Sequence, residues 1–352
     1  MEQKLVDFLE KLEEESFNTY YQSDIGKGKI KALFTPSPEP LTQTHKWEYK
    51  KTRARLYELS EMLTPDQADR VNVQFENPGL KSYFPAATTQ TMRGGIQLLK
   101  PGQIAPTHKH SANAFRFILE SDSSETFTIV DGTKIPMMKG DLILTPNWTW
   151  HDHRNTGKND TIWFDGLDLI FSYWIGAIFY SSMGGKNQEI ERDVTANEAL
   201  HGRGLNAPNL KGTNSRLLYY RFEHVKKAME SMASERVDKN AFHLDYIDPK
   251  TGREPIPTMN LGMRYIRPEE KGPTIRRTEN LIAICFDGSG EIVFPNEGKK
   301  ISIEPYDVVT IGSWKEYYFN NIGDKPMYVF TFSDAPIFKN AGQFRELISD
   351  IN

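Results

Sequence analysis

His108 and His110 flank Lys109 in a stretch with the texture of a strand, where residues i and i+2 project from one face. Both imidazoles can therefore enter one cavity while Lys109 faces away. Imidazole is a frequent metal ligand and the side chain that most readily exchanges a proton near neutral pH. The pair by itself is weak evidence for a bound metal, since paired surface histidines are common. His151 and His153 repeat the two-residue relation, so four of the chain's eight histidines fall between residues 108 and 153. An extended strand there lets His153 share the cavity that His151 enters. Arg116 follows His110 by six residues, has the same strand parity and is expected to face inward with it.

The elements that must carry these side chains are short. From about Gly94 the chain breaks into apolar runs, GGIQLL, FRFILE, TFTIV, DLILTP and TIWFDGLDLIF, separated by Gly, Pro, Asp and Asn. That spacing predicts a sandwich or barrel of short strands. The same texture resumes after Pro257 with NLGMRYI, LIAICF, GEIVF, ISI, YDVVTI and MYVFTF. The two stretches align with each other: KPGQIAPTHKHSANAFRFI lies over RPEEKGPTIRRTENLIAIC, and GDLILTPNWTWHDHRNTG over YDVVTIGSWKEYYFNNIG. One β domain has been duplicated. Residues 1–75 are expected to be a helical arm, with an amphipathic first helix carrying Leu5, Phe8, Leu9 and Leu12 and a second helix start at Thr64-Pro65-Asp66-Gln67. The organisation expected is an arm over 1–75, a barrel over 76–185, a connector with a helix over 186–255, and a second barrel over 256–352.

Composition fits a folded two-domain chain: 352 residues exceed what one core usually organises, and 38% are hydrophobic, with 20 Phe and 15 Tyr. The net charge is -4 and no concentrated basic stripe is present, which argues against nucleic acid as a partner. The N-terminus lacks the continuous apolar core of a signal peptide, and no run approaches the ~20 apolar residues of a membrane span, so a cytoplasmic location without membrane contact is expected. The single cysteine, Cys285, rules out an intrachain disulfide and is expected to be a packed strand residue.

Two spacings sharpen the reading of the histidines. Gly102, His108 and His110 fit G-x5-H-x-H, while Gly140, Pro146, His151 and Asn155 fit G-x5-P-x4-H-x3-N. Together they resemble the two halves of the cupin signature, which implies a small β-barrel with His108, His110 and His151 as metal ligands. The fold class implied is mainly β, a bicupin of two tandem jelly-roll barrels with an N-terminal helical arm. The glutamate ligand that usually follows His-x-His is missing, Ala114 and Phe115 standing in its place. Three neutral imidazoles leave the charge of a divalent ion uncompensated and leave positions open on an octahedral metal. An anionic chelating substrate plus dioxygen would suit such a centre, by the open-site logic of non-haem Fe(II) oxygenases.

The runs ENPGL at 76–80, GGIQLLKPGQIAPTHKH, AFRFI at 114–118, GDLILTPNWTWHDHRN and WFDGLDLIF make the chain similar to the ring-cleaving dioxygenases of gentisate, salicylate and 1-hydroxy-2-naphthoate. The resemblance covers roughly residues 30–345. It implies Fe(II) as cofactor, a small aromatic acid and dioxygen as substrates, and cleavage between the carboxyl-bearing and hydroxyl-bearing ring carbons. It also implies a homo-oligomer, dimer or tetramer. By the same resemblance Arg116 pairs with the substrate carboxylate, a role its planar, permanently charged fork suits. His153 is expected to hydrogen-bond substrate or oxygen or to take the phenolic proton, and Asp165 to orient its neighbours or touch a ring substituent. Asp168 is expected to be structural. Gly95 is placed beside the substrate, as is Arg93, which replaces an aromatic and could meet a nitro or carboxylate substituent. A substituted salicylate such as 5-nitrosalicylate is therefore as good a fit as gentisate. The alternative reading is a non-catalytic cupin that binds a small aromatic acid; a zinc isomerase or hydrolase is weaker.

In the second barrel Ile275, Arg277 and Tyr317 stand where the alignment puts the three ligands, so iron cannot bind there in the same way. Metal analysis should therefore find one ion per chain, lost in His151→Ala and retained in Tyr317→Ala. Equal loss from both variants would contradict a single site.

Overall fold

The computed structural model describes residues 2–24, 29–32, 34–63, 71–84, 86–202, 216–235 and 241–349. The helix start expected at Thr64-Pro65-Asp66-Gln67 lies outside the described residues. The chain forms two compact units, Met1–Pro40 and Leu41–Asn352. The first holds the helix Glu2–Glu14 and an antiparallel pair of strands, Tyr21–Asp24 with Lys29–Ala32. Among the described residues no helix is long and apolar enough to cross a membrane.

The second unit contains both barrels, each made of two sheets that are antiparallel throughout except where Arg192–Asp193 pairs parallel with Thr133–Lys134. In the first barrel one sheet runs, in spatial order, Tyr219–Tyr220, Leu142–Thr145, Ala114–Glu120, Thr161–Leu167, Arg93–Leu99 and Val71–Gln74. Its counterpart in the second barrel runs His45–Trp47, Val308–Ile311, Leu281–Asp287, Met327–Ser333, Asn260–Ile266 and Ala241–Asp245. The two orders match position by position. Duplication of the β domain is thus visible in topology as well as in sequence.

These two sheets are buried on both faces, which explains their unbroken apolar runs. In Ala114–Glu120, Arg116 lies within its own barrel while Phe115 and Phe117 pack against the other barrel's sheet. Phe117 stacks on Phe330 with ring centroids 4.0 Å apart and planes 7° from parallel. Phe332 meets Phe115 and Phe164 edge-on at 4.8 and 5.4 Å. One hydrophobic core therefore runs through both barrels. Cys285 is a buried residue of the strand Leu281–Asp287, as its apolar surroundings predict.

The expected arm and connector differ from what is observed in one respect: each also supplies strands to the sheets. His45–Trp47, from the segment expected to be helix and loop, pairs with Val308–Thr310 of the second barrel. Tyr219–Tyr220, from the expected connector, pairs with Leu142–Ile143 of the first. Each repeat thus sends a strand onto the other barrel, while the helix after it packs on its own, Arg53 pairing with Glu120 of the first barrel and Phe222 meeting Phe286 of the second. The helices Tyr49–Met62 and Phe222–Glu235 begin in the same way, with the Tyr49 N–H donating to Asp307 and the Phe222 N–H to Asp141, both at 2.8 Å. A carboxylate at a helix N-terminus satisfies an orphan donor and complements the dipole.

A second exchange ties the barrels at their rims. Asp168 accepts from the Asn113 backbone N–H and side-chain amide, and Asp334 accepts from the same groups of Asn280. Each carboxylate then takes a threonine hydroxyl from the opposite repeat, Thr258 on Asp168 and Thr91 on Asp334. Because the core is shared, Phe330→Ala should cost about 3–5 kcal/mol. Urea unfolding followed by tryptophan fluorescence and by circular dichroism should show both barrels melting in one transition, shifted together by the substitution.

Candidate active site

Register brings the first and third histidines together. The strand His151–Asn155 pairs antiparallel with Ile104–His110, with His151 directly opposite His108. His110 follows on the same face, and the imidazole centroids lie 4.1 to 5.4 Å apart. One nitrogen from each of the three lies within 4.8 Å of the others. Lys109 faces the other way, its Nζ 4.5 Å above the rings of both Trp148 and Trp150. The turn that returns the chain to His151 passes through Trp148 in the left-handed region, φ 59°, and its N–H donates to the His110 carbonyl. That bond fixes the third ligand's strand relative to the second ligand. Gly140, with φ 84°, and Gly102, with φ 79°, make the turns that the two spacings required.

Each ring is oriented by a carbonyl two residues away along the chain. Nδ1 of His108 lies 3.1 Å from the Pro106 oxygen, that of His110 2.8 Å from Ala112, and that of His151 2.9 Å from Thr149. A carbonyl can only accept, so each Nδ1 carries the proton and each Nε2 presents a lone pair. His151 Nε2 is buried and has no hydrogen-bond partner among the described residues. Burial, with the charge of Arg116 and the two other imidazoles adding to it, holds His151 well below the ordinary histidine pKa range. A neutral imidazole is the form that binds a metal. The donor set fits a divalent ion that accepts nitrogen, and this cluster consists of histidines alone. Ala114, where a carboxylate ligand could have stood, is fully buried.

Arg116 lies inside the barrel at 4% exposure, as strand parity predicts. It stands opposite Asp165 in register, its Nε 3.1 Å from Oδ1, and its Nη1 donates to the buried Thr145 hydroxyl. The Thr145 hydrogen bond and the Asp165 charge together orient the guanidinium. His153 is buried with Nδ1 2.8 Å from Thr128 Oγ1 and its ring 5.0 Å from Trp163. Its ring centroid is 6.4 Å from that of His151, so it lies beside the three-histidine cluster and outside it.

Arg93 opens the strand Arg93–Leu99 and donates from Nε to Gln74 Oε1 at 3.0 Å. Burial lowers its pKa, against the attraction of Asp165. Gly95 stands between Gln74 and Asp165 in register. A Cβ there would come within 2.8 Å of the Gln74 amide, so the missing side chain lets Gln74 lean toward Arg93. Asn155, the last residue of the second spacing, bonds the Leu99 and Asn159 carbonyls and the Gly157 N–H and is structural.

Several residues of this cavity escaped the sequence reading. Gln97 and Trp163 stand opposite each other in register, and Gln97 Nε2 and Trp163 Nε1 are buried without hydrogen-bond partners among the described residues. Strand parity could have found them, since Gln97 follows Gly95 by two and Trp163 precedes Asp165 by two. Thr145 and Gln74 carried no comparable signal, because their roles depend on contacts across strands.

The fold and the cluster define a two-barrel protein with, among the described residues, one group of three histidines able to hold a metal. The family model described as "Cupin domain" matches residues 95–168, the first barrel. The chain is 30% identical to 1-hydroxy-2-naphthoate 1,2-dioxygenase of Nocardioides sp. (strain KP7) over 88% of its own length and 80% of that protein. It is 30% identical to gentisate 1,2 dioxygenase 1 of Aquipseudomonas alcaligenes over 90% of each. The crystal structure of a salicylate 1,2-dioxygenase from Pseudaminobacter salicylatoxidans superposes with a TM-score of 0.83 at 26% identity, covering 98% of both chains. The chain belongs to this family of ring-cleaving cupin dioxygenases.

The Arg116–Asp165 pair can be tested for direct coupling. A double-mutant cycle of Arg116→Met and Asp165→Asn, followed by urea unfolding, should show a favourable coupling of about 0.5–3 kcal/mol. Additive effects would mean that the two side chains do not orient each other.

Proposed function

We propose that the protein is an Fe(II)-dependent dioxygenase that cleaves a 2-hydroxybenzoate between its carboxyl-bearing and hydroxyl-bearing carbons, with a substituted salicylate or gentisate as substrate. The observation that carries this reading is the three-imidazole centre without a carboxylate ligand, set beside a buried arginine. Iron(II) held by His108, His110 and His151 would supply oxygen activation and open positions for a chelating acid.

The chain's own residues divide the remaining work. Arg116 pairs with the substrate carboxylate, its fork aimed by Asp165 and Thr145. Pre-orientation by two neighbours lowers the ordering cost when the anion arrives. His153, steadied through Nδ1 by Thr128, takes the phenolic proton at Nε2 and returns it to product. Trp163 and Gln97 offer buried donors to the ring's oxygens. Arg93, held by Gln74 beside Gly95, faces the substituent on the far side of the ring. A carboxylate or nitro group there would be favoured over an apolar one. The small aromatic acid and dioxygen are the only partners this chemistry requires, and no external reductant enters it.

Iron-loaded protein should consume one oxygen per aromatic acid without NADH when offered salicylate, gentisate, their 5-substituted relatives and hydroxynaphthoate. Arg116→Lys should raise KM for the preferred acid about tenfold or more, because a point charge replaces a bidentate fork. Survival of every acid in that panel would sink the proposal.

A further inference from the structure

The second barrel is not a solid core. At the place equivalent to the first barrel's site it holds a partly open cavity of about 190 Å³, far above the roughly 10–15 Å³ that one water needs. The correspondence is set by register. Tyr317 stands opposite Ile275 as His151 stands opposite His108, and Arg264 occupies the strand position of Gln97. His243, paired with Arg264 across the edge strand, occupies the position of Asn72. The walls are apolar, with Ile266, Ile275, Phe319 and Ile348 among them, and the polar groups that reach the cavity are Arg264, Arg277 and His243.

Charge in this cavity is unbalanced at one residue. Arg277 is matched by Glu279 and Glu346, and His243 Nε2 is bonded to Asp245. Among the described residues the Arg264 guanidinium makes no hydrogen bond or ion pair, although the residue is only 8% exposed and its Nε is fully enclosed. Its one neighbour of note is the Phe319 ring, 5.6 Å from Cζ. Glu279 and Asp245 act on it only at a distance, and burial pushes its pKa down. The Tyr317 hydroxyl and His243 Nδ1 are also buried without partners. A buried cation with no counter-ion is costly, and a bound anion removes that cost.

We propose that the second barrel binds a small carboxylate with a flat apolar body, its anionic end on Arg264 and its body between Phe319 and Ile275. A bare inorganic anion would leave the apolar walls uncovered, and a neutral ring would leave Arg264 unmatched. The duplicated domain has lost its metal ligands and kept a ligand cavity whose electrostatics come from arginine in place of iron.

Fluorine NMR of the full-length protein with 4-fluorobenzoate tests this independently of the first barrel. The expected result is a bound resonance that persists in Arg116→Met and whose affinity falls about tenfold or more in Arg264→Gln, as loss of a charge-assisted bond would give. Ile348→Glu alters a half-exposed wall residue, so it keeps the test valid if Arg264→Gln does not fold, and it should weaken the same resonance by repelling the carboxylate. A resonance lost only in Arg116→Met reports on the first barrel and overturns the second-barrel site. Absence of any bound resonance, insensitivity to both second-barrel variants, or binding of inorganic phosphate in place of the fluorobenzoate would overturn it as well.

Discussion

The antiparallel register that sets His151 opposite His108 is the constraint on which the site depends. It joins ligands more than 40 residues apart in sequence. The Trp148 N–H bond to the His110 carbonyl and the glycine turns at 102 and 140 hold that register from either end. A slip of one residue would turn every ligand to the opposite face of its strand. Three local carbonyls then fix the tautomers, so backbone sets the three Nε2 atoms that could hold a metal.

Around that centre the protein needs a barrel whose interior can be polar, and the neighbouring barrel makes this possible. Phe115, Phe117 and Phe164 put their apolar bulk outside the first barrel, against Phe330 and Phe332 of the second. Arg116, His153 and Asp165 can then occupy the interior without emptying the chain of a core. The exchanged strands and the paired Asn–Asp–Thr contacts at the rims hold the two halves in register.

Much of this was legible in the sequence because strand parity is a strong rule. It placed His108 and His110 on one face, sent Lys109 the other way and turned Arg116 inward. The internal alignment set Tyr317 and Ile275 against His151 and His108, and both pairs stand opposite each other in their barrels. The exchange of strands was not legible, since His45–Trp47 and Tyr219–Tyr220 are too short to show a period. Nor were the contacts of Arg93 with Gln74 or of Arg116 with Thr145, which join residues whose proximity follows only from pairing. The cavity around Arg264 was hidden for a further reason: sequence does not report empty space.

The fate of dioxygen tests the central claim most directly. Iron-loaded protein and its preferred 2-hydroxybenzoate should be mixed under labelled oxygen, and the product trapped at once with borohydride to fix its keto oxygen. Mass spectrometry should then find a ring-opened diacid carrying both labelled atoms, one on each side of the broken carbon–carbon bond. A product with one labelled atom and an intact ring, or one labelled only from solvent, would contradict ring cleavage by this centre.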